Sequence, residues 1–229
     1  MDRIQLLKTV PIFTSLPTAE LTHISSLLQE ESFKKDDYLF FEGDPANWLY
    51  IVKMGKVRLV KYSSNGKDIL LEVLFAGEMF GGVAIFDKDT YPASAQAMET
   101  VTVLKMTKKD FFEFIGKYPA MAVDTVVHLG KRLREAHNMM RSLAVERVEK
   151  RIAAILTRLA GKIGEPCDDG IKLDIHLTRQ DIADMVGSTV ETTIRTMSRF
   201  KKDGIVTSTE DGKILIKSLD RLNECVEEC

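Results

Sequence analysis

Between residues 33 and 107 apolar and polar side chains alternate in short runs, the two-residue period of half-buried strands. The runs YLFFEGD, WLYIVKMGKVRLVKYSSNGKDILLEVLFAGE and ASAQAMETVTVLKMT carry this pattern. Gly43, Gly55, Gly66 and Gly77 punctuate them at intervals of 11 to 12 residues, the spacing of turns in an antiparallel sandwich or barrel. Asn65-Gly66 predicts a two-residue hairpin, since both central positions of a type I′ turn need positive φ. Ahead of this region Pro17 to Gln29 reads as a short helix, with Leu21, Ile24, Leu27 and Leu28 on one face.

From Lys108 the period becomes helical, and the pattern runs on to Ala160 with one predicted break before Pro119. Ala122, Val126, Leu129, Leu133, Ala136, Met140 and Leu143 are spaced 4, 3, 4, 3, 4, 3, a heptad stripe. From Pro119 to Ala144 such a helix would extend about 39 Å. A helix packed on its own domain is one use of this stripe. A seam this narrow, flanked by Lys131, Arg132, Arg134 and Arg141, better suits a two-helix contact. The expectation is a homodimer with Val126, Leu129, Leu133, Ala136, Met140 and Leu143 at its interface.

After the turn-rich GEPCDDG comes a compact helical unit, then a hairpin with Asp211-Gly212 at its tip. In HLTRQDIADMVGSTVETTIRTMSRF, Thr178 can cap a helix with Asp181 at its third position and Ile182, Ala183 and Val186 as its apolar side. Gly187 breaks that helix. Ser188, with Glu191 three residues on, fits a capping box for the next. Two short helices about a glycine turn predict a helix-turn-helix. On the second helix Val190, Thr193, Met197 and Phe200 gather inward, and Ser188, Glu191, Thr192, Arg195 and Arg199 gather on the other face. Arginine can read a guanine edge and glutamate a cytosine amino group, so Glu191, Arg195, Ser188 and Arg199 are candidate base readers. Thr178, Arg179, Thr189 and Thr192 are candidate phosphate contacts.

Composition narrows the function. A net charge of -2 over 229 residues makes DNA binding a matter of a local patch. The N-terminus has no signal-peptide pattern and no run is apolar enough for a membrane span, so a cytoplasmic protein is expected. Cys167, Cys225 and Cys229 are too few for a disulfide framework, and the Cys225-x3-Cys229 pair reads as incidental. No P-loop, H-E-x-x-H or G-x-S-x-G motif argues for an enzyme.

The order of these parts resembles the cAMP receptor protein/FNR superfamily of bacterial transcription regulators. The resemblance rests on FFEGDPANWLYIVKMGKVRL, FGGVAIF, RLREAHNMMRSLAVERVEKRIA and LTRQDIADMVGSTVETTIR, and spans nearly the whole chain. It implies an α+β chain: an N-terminal antiparallel β jelly roll of the cyclic-nucleotide-binding kind (1–118), a long dimerisation helix (119–144) and a C-terminal winged helix-turn-helix (145–229). It also implies a pseudo-palindromic double-stranded DNA site, and RNA polymerase as a partner. Glu191 and Arg195 match the half-site-reading Glu and Arg of both main branches. Val190 stands where the cAMP receptor branch has a further Arg, and Ile194 where the FNR branch has a specifying Ser. The half-site is therefore related to TGTGA or to TTGAT.

In the cAMP-binding branch the cassette GEMFGGVAIFDKDTYPASA supplies a Glu for ribose and an Arg for phosphate. Here those places are Gly82 and Ala93, so an effector other than cAMP is expected. The FNR iron–sulfur cluster needs cysteines near the sandwich, and all three lie after residue 166. Phe80, Gly81, Gly82, Val83, Ala93, Ser94 and Ala95, with Leu133, His137 and Met140 from the long helix, form the candidate effector pocket. The YPASA stretch is similar to the DNR/HcpR group, which is linked to nitric oxide, nitrosative stress and haem. His137 is the candidate axial haem ligand in that reading, and an interface residue in the bland one. The alternative function is a constitutive DNA-binding regulator whose pocket is filled by its own side chains.

Overall fold

A computed structural model describes residues 2–62, 68–86 and 90–227. Asn65-Gly66 and Cys229 lie outside the described residues. The chain divides into two compact units, 1–135 and 136–229.

The first unit opens with α1 (Arg3–Thr9), a 3-10 turn (Pro11–Phe13) and α2 (Thr18–Leu27). Leu21 and Ile24 of α2 are buried, as is Leu28 just beyond it, while Leu27 turns toward solvent, so the inward face is narrower than expected. Among the described residues eight strands follow: β1 (Gln29–Phe33), β2 (Tyr38–Phe40), β3 (Trp48–Met54), β4 (Val57–Tyr62), β5 (Asp68–Leu74), β6 (Met79–Phe80), β7 (Ser94–Ala97) and β8 (Val101–Thr107). A short helix, α3 (Gly82–Phe86), interrupts them. The strands form two antiparallel sheets, ordered β1-β8-β3-β6 and β2-β7-β4-β5. Strand 1 pairs with 8, 2 with 7, 3 with 6 and 4 with 5. That is one long hairpin folded at its midpoint and rolled up: a jelly roll.

Leu49, Ile51, Val103 and Leu104 are fully buried between and beneath the sheets. β3 and β8 bury side chains on both faces, which explains their nearly continuous apolar runs. Phe13 and Phe111 join the same core, the latter from α4 (Lys108–Lys117), which is capped by the Thr107 hydroxyl. The unit ends in the long helix α5 (Pro119–Val145), and the boundary between the units falls within that helix.

The helical pattern breaks a second time, at Glu146-Arg147, before α6 (Val148–Ile163). The sequence offers no proline or glycine there, and the expectation of an unbroken helix from Pro119 to Ala160 is corrected. GEPCDDG, expected as a turn-rich connection, contributes β9 (Gly164–Cys167), which pairs with β10 (Gly170–Leu173). After them come α7 (Arg179–Val186), α8 (Val190–Lys202), β11 (Val206–Ser208), β12 (Ile214–Ile216) and α9 (Leu219–Glu227). The four strands form a sheet in the order β11-β12-β10-β9, and Asp211-Gly212 sits in the turn between β11 and β12 as expected. Ile152, Leu156, Ile182, Val186, Met197 and Phe200 supply this unit's core.

Candidate nucleic-acid interface and effector cavity

α7 begins in a reciprocal cap. The Asp181 N–H donates to the Thr178 hydroxyl oxygen at 3.0 Å, and the Thr178 N–H donates to the Asp181 carboxylate at 2.7 Å. The helix ends at Gly187, whose φ of +59° is a conformation that favours glycine. A Cβ there would also come within 2.4 Å of the Leu143 side chain. The next cap differs from expectation. Thr189, and not Ser188, is the N-cap of α8, its hydroxyl accepting from the Thr192 N–H at 3.2 Å. Both residue types cap well, and the tight Gly187 turn spends Ser188 on the chain reversal: its N–H bonds back to the Ala183 carbonyl.

Arg151, which no motif singled out, holds this turn. Its guanidinium is buried and donates to the carbonyls of Val186 at 2.8 Å, Gly187 at 3.2 Å, Glu146 at 2.7 Å and Ser142 at 3.4 Å. Four carbonyls at or just past the ends of α5 and α7 thus share one cation, the Ser142 carbonyl accepting the Glu146 N–H as well. A lone Arg at the start of an amphipathic helix gives no signal of this in sequence.

α8 is divided sharply. Thr193, Thr196, Met197 and Phe200 are buried, while Glu191, Ile194, Arg195 and Arg199 face solvent. Thr178 and Thr189 are exposed, and Ser188, Val190, Thr192 and Arg179 are half-buried. Burial lowers the pKa of the Arg179 guanidinium from its ordinary value. Arg195 donates to the Thr192 hydroxyl at 3.2 Å, and among the described residues no ion pair joins it to Glu191. Arg199 faces Asp203 at 3.7 Å. Arg195 and Arg199 therefore keep their guanidinium groups on the exposed face of α8.

The first unit contains a cavity of about 470 Å³. Phe80, Gly81, Gly82 and Ala93 line it, and so do Thr125, His128, Leu129 and Arg132 of α5. Val83 lies on α3, the helix that supplies Ala84 and Phe86 to the wall. Gly81 has a φ of +76° and sits against the Trp48 carbonyl and the Tyr91 ring, a close approach that admits no Cβ easily. The Tyr91 hydroxyl donates to that carbonyl at 2.7 Å.

Several expected pocket residues are elsewhere. Ser94 and Ala95 are buried in β7 and do not line the cavity; the Ser94 hydroxyl accepts the Glu42 N–H at 2.9 Å. Leu133, His137 and Met140 are also absent from the wall and are exposed on α5. The reason is helical geometry. Residues 125, 128, 129 and 132 form one face, and 126, 133, 137 and 140 form another about 100° around the axis. The same division touches the expected dimer seam. Val126, Leu133, Ala136, Met140 and Leu143 are exposed, but Leu129 turns inward to the cavity and Leu143 reaches Gly187.

Sequence reasoning singled out His137, and missed His128, Lys61, Glu72 and Arg132 as wall residues. The β4–β5 pairing shifts register so that Leu59 faces Glu72 and Val60 faces Leu70, leaving Leu71 as an extra residue. This bulge lets consecutive side chains, Leu71 and Glu72, both reach the cavity wall. Glu72 accepts from Arg132 at 2.6 Å. Lys61 pairs with Glu42 at 3.2 Å. Burial, reinforced by Arg132 and Lys131, holds His128 below its ordinary value, so its imidazole is neutral near pH 7.

A jelly roll carrying a cavity, a long helix and a winged helix-turn-helix define a class of DNA-binding regulator. Residues 30–118 match the cyclic nucleotide-binding domain profile, and residues 150–225 match the Crp-like helix-turn-helix domain profile. The CRP-like cAMP-activated global transcriptional regulator of Mycobacterium tuberculosis is 27% identical over 218 residues, covering 95% of this chain and 97% of the relative. The anaerobic regulatory protein of Bacillus subtilis is 28% identical over 207 residues, 90% of this chain and 87% of the relative. A solved CooA variant from Carboxydothermus hydrogenoformans superposes with a TM-score of 0.72 at 27% identity, covering 97% of this chain and 98% of that one. The chain belongs to the CRP/FNR family of transcription regulators. Nothing in this family assignment points to an enzyme.

Proposed function

We propose that the protein is a homodimeric transcription regulator that binds a pseudo-palindromic DNA site under the control of an effector other than cAMP. The observation that carries the DNA reading is the division of α8, with Met197 and Phe200 buried and Glu191 and Arg195 open beside a capped turn. Glu191, Arg195, Ser188 and Arg199 take the base edges, and Thr178, Arg179, Thr189 and Thr192 the phosphates. The dimer reading rests on α5, where Val126, Leu133 and Met140 are 69%, 57% and 57% exposed in the single chain. A second copy of the same helix covers such a stripe. RNA polymerase is the partner of the DNA-bound dimer. The site of action in this reading is the cytoplasm, and no helix among the described residues is long and apolar enough to cross a membrane.

Several relatives are described as cAMP-activated or as cAMP receptors. Against that chemistry here, Gly82 and Ala93 present no polar side chain to the cavity, and its cations Lys61 and Arg132 are engaged by Glu42 and Glu72. An open cavity of about 470 Å³ favours gating over a constitutive regulator with a filled pocket.

Haem is a second reading of the effector, and the wall fits it through His128 and not through His137. His128 is a neutral imidazole on an apolar wall, and Arg132 is a cation beside it that suits a propionate. When bound, haem supplies an iron that takes a diatomic gas. Anaerobic haemin titration of the wild type, His128→Ala and His137→Ala tests this. A stoichiometric Soret band lost only in His128→Ala supports it; a band kept in His128→Ala, or no specific band at all, removes it.

A further inference from the structure

The cavity of the first unit holds one cation whose partner is a carboxylate of the wall itself. Its wall is mostly carbon, with the rings of Phe40, Phe80, Phe86, Tyr91 and Phe111 around it. Leu71 and Phe86 stay 50% and 44% exposed although they belong to this wall, so apolar surface is left open where a ligand would cover it. Among the described residues Lys61, Glu72 and Arg132 interrupt the carbon. Lys61 is tied outward, to Glu42 and to the Pro92 carbonyl. The Arg132 guanidinium instead meets Glu72, the one carboxylate that the described residues bring to the wall.

We propose that the effector is an apolar monocarboxylic acid, whose carboxylate replaces Glu72 as the partner of Arg132 while its hydrocarbon body fills the aromatic part of the cavity. This rests on the effector-gated reading above and supplies the chemistry of its ligand. The cavity already contains the interaction that the ligand would make: Glu72, brought inward by the bulge at Leu71, is a built-in stand-in for the ligand's acid group. Exchanging one carboxylate for another preserves the charge-assisted bond at the guanidinium, and the displaced Glu72 carboxylate, on a side chain already 29% exposed, turns to solvent. The apolar body then supplies the driving force. A single guanidinium matches one carboxylate. A phosphate dianion would leave a charge among carbon walls without a partner. The exchange also has a mechanical consequence, since Arg132 lies on α5 and Glu72 on β5, and the ligand would undo the ion pair that ties helix to sheet.

The test is isothermal titration of the full-length protein at neutral pH with 2-naphthylacetate and decanoate, each beside its neutral amide, and with cAMP. At least one acid should bind about tenfold more tightly than its amide. Arg132→Gln should bring that ratio close to one, whereas Glu72→Gln should tighten the acid about threefold by freeing the guanidinium. A purely structural role for Arg132 would weaken acid and amide alike, and thermal melts of both variants check folding. Equal binding of acid and amide, no binding of either acid, or cAMP binding indifferent to Arg132→Gln overturns the proposal. Duplex-DNA anisotropy on the same samples separates the two readings. Acid binding without a change in DNA affinity removes the gating while the ligand class stands. Intact DNA binding with no acid binding removes the ligand class alone.

Discussion

The Arg151 guanidinium donates to the Val186 carbonyl at 2.8 Å, joining the first turn of α6 to the last residue of α7 before the helix-turn-helix reverses. Because three further carbonyls share this buried cation, its removal leaves acceptors without donors. Arg151→Met should destabilise the C-terminal unit by about 2–4 kcal/mol. Arg151→Lys should recover little, since a single ammonium cannot span the fork. Hydrogen exchange read at the amides of α7 measures the loss; unchanged protection there would remove Arg151 from this role.

The α8 cap separates two neighbouring residues of nearly identical propensity. Thr189→Ala should cost about 1 kcal/mol, and Ser188→Ala only a few tenths. Urea unfolding of the two variants measures the difference, and the reverse order would return the cap to Ser188.

Gly187→Ala introduces a Cβ at φ +59° and 2.4 Å from the Leu143 side chain. Because Leu143 can shift, the lasting cost is the backbone conformation, about 1 kcal/mol. Adding Leu143→Ala should relieve only the steric part, and a double-mutant cycle reads that coupling. Strict additivity of the two changes would mean that Leu143 and Gly187 do not touch.

His128 gives stability a pH dependence of known sign. Burial is the largest cause of its depressed value, followed by Arg132 and Lys131, with Glu135 and Glu72 opposing them. A histidine depressed in the folded state is neutral there, so protonation favours the unfolded chain. Its contribution is complete above the unfolded value of 6.5 and is lost as pH falls through the folded value. The difference in Tm between the wild type and His128→Gln should be constant above about pH 7 and shift in favour of the variant below about pH 6. Parallel curves across that range would contradict the assignment.

The exposed stripe on α5 predicts assembly state. Val126→Glu with Leu133→Glu places two charges on the seam and should convert a dimer to a monomer in sedimentation, with the jelly roll still folded. A wild-type monomer at micromolar concentration would remove the dimer.

Much of this architecture was legible because local chemistry and tertiary need agree. Glycines at positive φ mark Gly43, Gly55 and Gly77, and the Thr178–Asp181 cap appears where its residue types stand. What stayed hidden depends on three-dimensional facts with no local signature. The bulge at Leu71 is a register shift between two ordinary strand sequences, and it brings Glu72 into the cavity. The heptad on α5 marks one apolar face, but Thr125, His128 and Arg132 lie on another, made inward-facing only by the packed sheet. His137 falls on the first face and His128 on the second, which is why the sequence pointed to His137 whereas the cavity wall carries His128. Arg151 acts on backbone carbonyls, and those carry no sequence information at all.

The central claim is that the exposed face of α8 reads DNA sequence. Sequencing the duplexes that wild type, Arg195→Ala and Arg179→Ala each retain from one random pool, at one salt concentration, tests it most directly. The wild type should enrich two inverted half-sites about one helical turn apart. Arg195→Ala should lose about 1–3 kcal/mol on that site and its preference at the pairs it reads, whereas Arg179→Ala should weaken every sequence alike and keep the motif. A wild-type pool without a two-fold motif, or a motif unchanged in Arg195→Ala, would contradict the account.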